Sequence, residues 1–322
     1  MTMAMTTILV TGGAGFIGSH LCDRLLAQGY RVLCLDNFND FYDPALKEQN
    51  IAQASEHPSF TLIRGDILDQ GLLEKIFSEH RPEKVVHLAA MAGVRASIAS
   101  PTRYVDVDIK GTVNLLEMAK EYGVKQFIFG SSSSVYGLNG KIPFSEEDPT
   151  ELQASPYATA KKAGELYCRT YHHLYGFPVT ILRFFTVYGP RQRPDMAIRK
   201  FTELMMEGKP IPMFGEGTSV RDYTYIDDCI DGVMAAIERP LDFEIFNLGS
   251  STTVKLKELI ELIAKKLKVN PKVEQLPGHP GDVPITWADI SKARALLGYN
   301  PKVSLEEGIE RFVRWYTTTR KG

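Results

Sequence analysis

The sequence has almost no net charge, no long apolar run and few cysteines, and each shortage removes a class of protein. Its 322 residues carry 37 Lys+Arg against 39 Asp+Glu, a formal net charge of -2. A dedicated nucleic-acid binder needs a basic excess to engage phosphates, so no nucleic-acid partner is expected. No apolar run reaches the ~18 residues that cross a bilayer, so no membrane partner is expected either. Met1–Thr7 has no basic segment, and the apolar stretch after it is short and strand-like, which argues against a signal peptide. The four cysteines, Cys22, Cys34, Cys168 and Cys229, form no CxxC pair. They read as small buried hydrophobes, which fits a reducing compartment and a cytoplasmic location. Seven histidines include the adjacent His172 and His173, but there is no HExxH and no His/Cys cluster with metal spacing. No metal site is expected.

What is present is the balance of a soluble globular chain, 44% hydrophobic and 24% charged, long enough for one large domain or two sharing a cleft. The first half alternates strand and helix. Thr7–Thr11, Arg31–Leu35, Phe60–Arg64, Lys84–Leu88, Gln126–Phe129 and Val179–Val187 read as strands. Between them, Ile17, Leu21, Leu25 and Leu26 form a helical stripe, Leu72–His80 is helical, and Tyr104–Tyr122 and Tyr157–Tyr175 are long helices. On Tyr104–Tyr122 the apolar face is read from Ile109, Val113, Leu116 and Ala119. This alternation implies βαβ units and a parallel sheet with helices on both faces. The second half is less regular, with helices near Ala197–Glu207, Leu256–Leu267 and Leu305–Tyr316. A strand is expected near Pro210–Phe214, a strand-to-helix step at Tyr223–Ile237, and Glu244–Leu248 as a strand returning to the sheet.

Between the first strand and first helix lies Gly12-Gly13-Ala14-Gly15-Phe16-Ile17-Gly18. Gly12 permits the tight turn, Gly15 lets the backbone approach a pyrophosphate, and Gly18 allows helix to pack on strand. The helix N-terminus then presents free N–H groups to the anion. Asp36 ends the second strand, 24 residues past Gly12, where a carboxylate accepts bonds from the adenosine ribose hydroxyls. An acid repels a 2′-phosphate, and no arginine follows in Asn37-Phe38-Asn39, so NAD is expected in preference to NADP. Asp66 and Ile67, after the third strand, and Leu88, Ala89, Ala90 and Met91, after the fourth, are placed to line the same cofactor. The alternative is a glycine-rich turn with no ligand, and the strand, helix and acid together weigh against it.

Tyr157 and Lys161 stand four apart on one helix face. A free phenol titrates near ~10. A neighbouring ammonium and a positive nicotinamide ring both favour phenolate, which makes it a usable base near neutrality. Lys161 can also hold the nicotinamide ribose. Ser131–Ser134 is the only low-complexity patch and closes the strand ending Phe129-Gly130, placing hydroxyls beside a substrate oxygen.

The chain here resembles the extended short-chain dehydrogenase/reductase family, and within it the nucleotide-sugar 4-epimerases, over nearly its whole length. The resemblance rests on the glycine loop, the serine patch before Val135-Tyr136-Gly137, and the Tyr157/Lys161 pair. It also rests on Arg183–Pro190 and Arg221–Asp228. Ala92-Gly93-Val94-Arg95 and Arg193-Pro194-Asp195-Met196-Ala197 look like the UDP-glucuronate 4-epimerases. The resemblance implies an α/β Rossmann-type doubly wound parallel sheet with a smaller C-terminal substrate-binding region. The cofactor domain would span 1–182, with 225–255 returning to it, and 183–224 and 256–322 would bind the UDP-sugar. It further implies Tyr157 as catalytic base, Lys161 tuning it, and Ser132 bonding the sugar O4. Ser133, Ser134 and Thr186 would contact the sugar, Arg95 would join the substrate side, Arg221 would bind the diphosphate and Asp282 the uridine ribose. The two long helices would pair in a homodimer.

Related enzymes share one first step, hydride transfer from sugar C4 to NAD giving a 4-keto sugar. The 4,6-dehydratases carry acidic residues in the serine patch, and UDP-glucuronate decarboxylases a Glu just before Val-Tyr-Gly. Ser133 and Ser134 are neutral, which favours epimerisation. With UDP-glucuronate the keto sugar is a β-keto acid prone to lose carbon dioxide, so its carboxylate must be clamped. Arg193, assisted by Thr186 and the serine hydroxyls, is the candidate clamp, and a loop ion pair with Asp195 is its alternative. For Arg221 the alternative is a surface pair with Asp222 or Asp227. The rival activities are a UDP-glucose or UDP-N-acetylglucosamine 4-epimerase, a decarboxylase, and a non-catalytic NAD-binding protein. Three positions depart from the resembled pattern: Asp108 and Thr186 where Asn is usual, and His279 where Arg is common. Between Arg183 and Arg221, seven Lys+Arg face four Asp+Glu, a basic stretch on the side assigned to the anionic substrate.

Overall fold

A computed structural model describes residues 5–278 and 283–319. β1 (Thr7–Thr11) passes through the glycine loop into α1 (Phe16–Ala27), β2 (Arg31–Asp36) leads to α2 (Pro44–Ser55), and β3 (Phe60–Arg64) to α3 (Gln70–His80). β4 (Lys84–His87) precedes two short helices, α4 (Val94–Ala99) and α5 (Pro101–Tyr104), a π-helical turn over Val105–Lys110, and α6 (Gly111–Glu121). β5 (Gln126–Ser132) runs into a 3₁₀ turn at Ser133–Tyr136, then the long α7 (Pro156–Tyr175) and β6 (Val179–Phe184). The remaining chain forms β7 (Thr186–Tyr188), α8 (Ala197–Met206), β8 (Ile211–Phe214), β9 (Val220–Tyr225), α9 (Ile226–Glu238) and β10 (Phe243–Leu248). It ends with β11 (Thr253–Lys255), α10 (Leu256–Leu267), β12 (Val273–Leu276), α11 (Ser291–Leu297) and α12 (Leu305–Thr319).

Seven strands make one all-parallel sheet in the order β10-β6-β5-β4-β1-β2-β3. Strands buried on both faces explain why they read as apolar runs rather than alternating ones. Along β1, Ile8 and Val10 pack with Leu21 and Leu25 of α1 and Val233 of α9, while Leu9 faces Leu73 of α3 and Leu116 of α6. β1 lies between β2 and β4, so the order in which successive strands are laid down reverses there and a crevice opens at the carboxyl ends of β1 and β4. There are two smaller sheets, β11-β9-β7 and β12-β8, and β7 and β9 of the first bring Thr186, Val187 and Arg221 to that crevice.

The expected return of Glu244–Leu248 holds, since β10 pairs with β6 from Phe243 to Leu248. Two expectations need correction. Val179–Val187 is not one strand: β6 ends at Phe184, Phe185 N–H bonds the Leu248 carbonyl at 3.1 Å, and Thr186 starts a strand paired with β9. Tyr104–Tyr122 is helical almost throughout, but Val105–Lys110 is a π-helical turn between α5 and α6 rather than α-helix. Its buried face also runs through Tyr104, Asp108, Thr112, Leu115 and Ala119, with Ile109 and Val113 only half-buried. A purely apolar reading passed over Asp108 and Thr112, which are polar yet buried.

Candidate active site

The crevice is a cleft of about 460 Å³, and the glycine loop forms its floor. Gly12 adopts φ +69°, and a Cβ there would sit 2.7 Å from the Ala89 nitrogen. A Cβ on Gly18 would lie 2.2 Å from the Gly12 carbonyl oxygen, so α1 can start against the loop only with glycine. Gly15 caps α1 without any side-chain bond, leaving the first N–H groups facing the cleft.

Asp36 is buried at the end of β2. Its Oδ2 accepts from Ala14 N–H at 3.2 Å, and Oδ1 from Phe38 N–H at 2.9 Å. Asn37 donates to Asp66 at 2.8 Å, joining the ends of β2 and β3. Ile67, Leu88, Ala89 and Ala90 line the cleft as expected, together with Phe16, Ile17 and Asn37. Met91 turns its backbone N–H to Asp108 at 2.6 Å instead. These parts fit a dinucleotide: a glycine cradle, an uncapped helix end and an acid beyond it.

At the other end of the cleft, α7 presents Tyr157 and Lys161. α7 starts cleanly because Ser155 accepts from Ala158 N–H at 3.2 Å and Pro156 occupies the first turn. Lys161 Nζ donates to the Gly130 carbonyl at 2.9 Å, and the Tyr157 ring meets Tyr104 edge-on at 6.2 Å. The four serines separate in role. Ser131 donates to buried Glu165 at 2.7 Å, whose two oxygens also receive Arg183 at 2.8 and 2.9 Å. Ser132, Ser133 and Ser134 line the cleft, with Ser132 Oγ accepting from Ser134 N–H at 3.1 Å.

Thr186, Arg193 and Arg221 close the cleft from the opposite wall. Arg193 Nε and Nη2 hold Asp195 at 2.9 Å each, so the loop ion pair exists and Arg193 faces the cleft as well. Burial works against that guanidinium's charge, and the Asp195 carboxylate outweighs it, raising the pKa. Arg221 donates to the Val220 carbonyl at 2.8 Å; Asp222 accepts from the Ser250, Ser251 and Ala288 N–H groups, and Asp227 faces Arg311. Arg95 sits with its guanidinium 3.9 Å from the centre of the Phe214 ring. Asp282 and His279 lie outside the described residues.

Asp108 is buried beside this end of the site, its Oδ2 without a hydrogen-bond partner. Burial pushes its pKa up to about 6, against the pull of Lys161 and the Met91 N–H. His87, also buried, sits between the Thr11 and Thr112 hydroxyls at 2.8 and 2.9 Å and is lowered to about 3 by burial and Lys161, so it stays neutral. Sequence reasoning missed Lys47 and Tyr42, which line the cleft near Asp36, and Phe41, which lines it beside Arg193, whose guanidinium lies 5.7 Å from its ring centre. The Asp43-Pro44 step, a helix-start signal, could have located the α2 helix that carries Lys47.

Fold and site together define a nucleotide-sugar-modifying enzyme of the extended short-chain dehydrogenase/reductase class. The chain belongs to the family described as GDP-mannose 4,6 dehydratase, whose model matches residues 9–312. It is 45% identical over 308 residues to a UDP-glucuronate 4-epimerase of Thermodesulfobacterium geofontis, covering 95% of each chain. It matches a solved Bacillus cereus UDP-glucuronic acid 4-epimerase, bound to UDP-glucuronic acid and NAD, with TM-score 0.92 and 41% identity. That match covers 98% of this chain and all of the other (100%). A Thermotoga maritima UDP-glucose 4-epimerase solved with UDP-glucose matches at TM-score 0.91 and 38% identity, over 98% of this chain and 100% of that one.

Proposed function

We propose that this chain interconverts UDP-glucuronate and UDP-galacturonate by epimerisation at C4. The observation that carries this reading is the convergence of Tyr157, Lys161 and Ser132 with the Arg193 guanidinium on one cleft, beside a serine patch that is itself neutral and whose Glu165 partner is not among the cleft-lining residues. NAD would be held by the glycine loop, Asp36, Asn37, Asp66, Ile67 and the Leu88–Ala90 segment. When bound, it supplies a reversible hydride acceptor at C4.

Tyr157 takes the proton from the C4 hydroxyl and returns it. Lys161, one helical turn on from Tyr157, is anchored on the Gly130 carbonyl, and Ser132 donates to the C4 oxygen. Ser133, Ser134 and Thr186 hold the sugar on either face as it turns over. Arg193 grips the C5 carboxylate so that its bond to C5 stays out of line with the ketone π system, which suppresses loss of carbon dioxide. Arg221 meets the diphosphate. Arg95 and Asp282 would complete the nucleotide side.

The domain division follows from the same reading: 1–182 with 225–255 for the cofactor, 183–224 and 256–322 for the UDP-sugar. A homodimer through α6 and α7 is supported by Leu166, Tyr167, Leu174 and Tyr175, all exposed on α7. Among the described residues no helix is long and apolar enough to cross a membrane, and four free buried cysteines suit a cytoplasmic setting.

The test incubates purified protein separately with UDP-glucuronate, UDP-glucose and UDP-N-acetylglucosamine and resolves the products by NMR. Conversion of UDP-glucuronate to UDP-galacturonate is expected. Turnover of UDP-glucose with UDP-glucuronate unchanged would overturn the carboxylate assignment.

A further inference from the structure

An acid at the end of the second strand repels a 2′-phosphate only if its charge stands alone. Here it does not. Lys47 of α2 places Nζ 3.1 Å from Asp36 Oδ1, and both side chains are almost fully buried, 7% and 5% exposed. The ammonium also lies 5.4 Å from the Tyr42 ring centre. Burial and Asp36 push the Tyr42 phenol up to about 12, so Tyr42 adds no negative charge. Of the other cations, Arg64 is held by both oxygens of Glu48 at 2.7 and 2.9 Å while its guanidinium covers the Phe38 ring, and Arg193, paired with Asp195, and Arg199 act on Tyr42. Lys47, Asp36 and Tyr42 all line the cleft on the adenosine side.

The corner that reads the ribose is therefore an ion pair rather than a monopole, and a pair of zero net charge repels an incoming phosphate far less than a bare carboxylate. An ammonium has three N–H donors, and one bond to Asp36 leaves others for a further acceptor. Because the corner is buried, water screens neither partner well.

We propose that Lys47 is a specificity-determining residue of the dinucleotide pocket. It cancels the Asp36 charge and offers a donor to a 2′-phosphate, so the pocket binds 2′-phosphorylated adenine dinucleotides as well as NAD, with NAD favoured. This rests on the dinucleotide reading above.

The test loads the full chain with fluorescent etheno-NAD and measures its displacement by ADP-ribose and by 2′-phospho-ADP-ribose. In the wild type both displace it, the 2′-phosphate form at higher concentration. Lys47→Met raises the concentration ratio of the two by about tenfold or more, the size of one lost charge-assisted contact, and Lys47→Arg restores it. Asp36→Asn lowers the ratio, and adding Lys47→Met in that background raises it again. This double variant leaves no buried unpaired charge, so it guards against a misfolded single variant. An equal ratio in wild type and Lys47→Met, with or without Asp36→Asn, overturns the proposal, as does a wild type that ignores the 2′-phosphate form. Failure of etheno-NAD to bind the wild type at all would instead sink the dinucleotide reading.

Discussion

Lys161 Nζ donates to the Gly130 carbonyl at 2.9 Å, tying the helix that carries Tyr157 to the strand that ends in Ser132. Together with the Ser131–Glu165 bond at 2.7 Å, this contact holds the helix of the proposed base against the strand of the proposed O4 donor. Lys161 also lies over the Phe129 ring, 5.2 Å from its centre, so the ammonium is packed as well as bonded.

Replacing Tyr157 with Phe removes only the phenol oxygen. Epimerisation is expected to fall by about 10²–10⁴-fold, with the thermal midpoint unchanged. Lys161→Met should lose comparable activity and some stability, because it also releases the Gly130 carbonyl from its partner. A Tyr157→Phe enzyme with wild-type turnover would exclude the proposed base.

Arg193 and Asp195 act as a unit. Arg193→Ala is expected to raise the KM for UDP-glucuronate by about 10- to 100-fold, since a charge-assisted pair with the carboxylate is lost. The fraction of carbon dioxide released per turnover should rise with it. Asp195→Asn frees the guanidinium and should show a smaller effect of the same sign. Product ratios by NMR with headspace carbon dioxide measure both.

Asp108 gives stability a pH dependence with a definite sign. Its carboxyl titrates near 3.8 unfolded and about 6 folded. Between those values the folded chain holds a proton that the unfolded chain has lost, so stability falls as pH rises through that window. Asp108→Asn does not titrate. Its unfolding free energy should therefore gain on the wild type from about pH 4 to pH 6 and hold a constant added advantage above, on the order of 3 kcal/mol, measured by denaturant unfolding across pH. An advantage that shrinks with rising pH would show that the carboxyl is not protonated in the fold.

Glu165 and Arg183 form a bidentate pair with both side chains 2% exposed. Burial raises the Glu165 pKa, but the Arg183 bonds outweigh it and hold the carboxyl below its ordinary value. That stabilisation is present above the usual carboxylate range and is lost as pH falls through the folded pKa. Glu165→Gln leaves a buried guanidinium without its counter-charge and is expected to cost about 3–5 kcal/mol in denaturant unfolding at neutral pH. Arg183→Met added to it should recover part of that loss.

The glycine loop, the first two strands and the Tyr157/Lys161 spacing were legible because each is local. A turn at positive φ needs glycine, and a fourfold spacing puts two side chains on one helix face wherever the helix goes. Asp36 was legible for the same reason. Lys47 was not, because α2 has few apolar residues to mark its period and reaches Asp36 by packing against α1 and β3. The run Val179–Val187 hid a break at Phe185, since both segments are apolar and only the Leu248 carbonyl shows where the chain turns.

Sequence alone therefore determined the doubly wound sheet, the glycine loop and the placing of Tyr157 and Lys161 on one helix face, since short-range sterics and periodicity specify them. Tertiary structure decided which charges meet: Lys47 on Asp36, Arg193 on Asp195, Arg183 on Glu165, and a carboxyl at Asp108 with one oxygen unpaired. Partner choice in a buried site depends on how helices pack across the sheet, and burial sets the cost of a charge left without one.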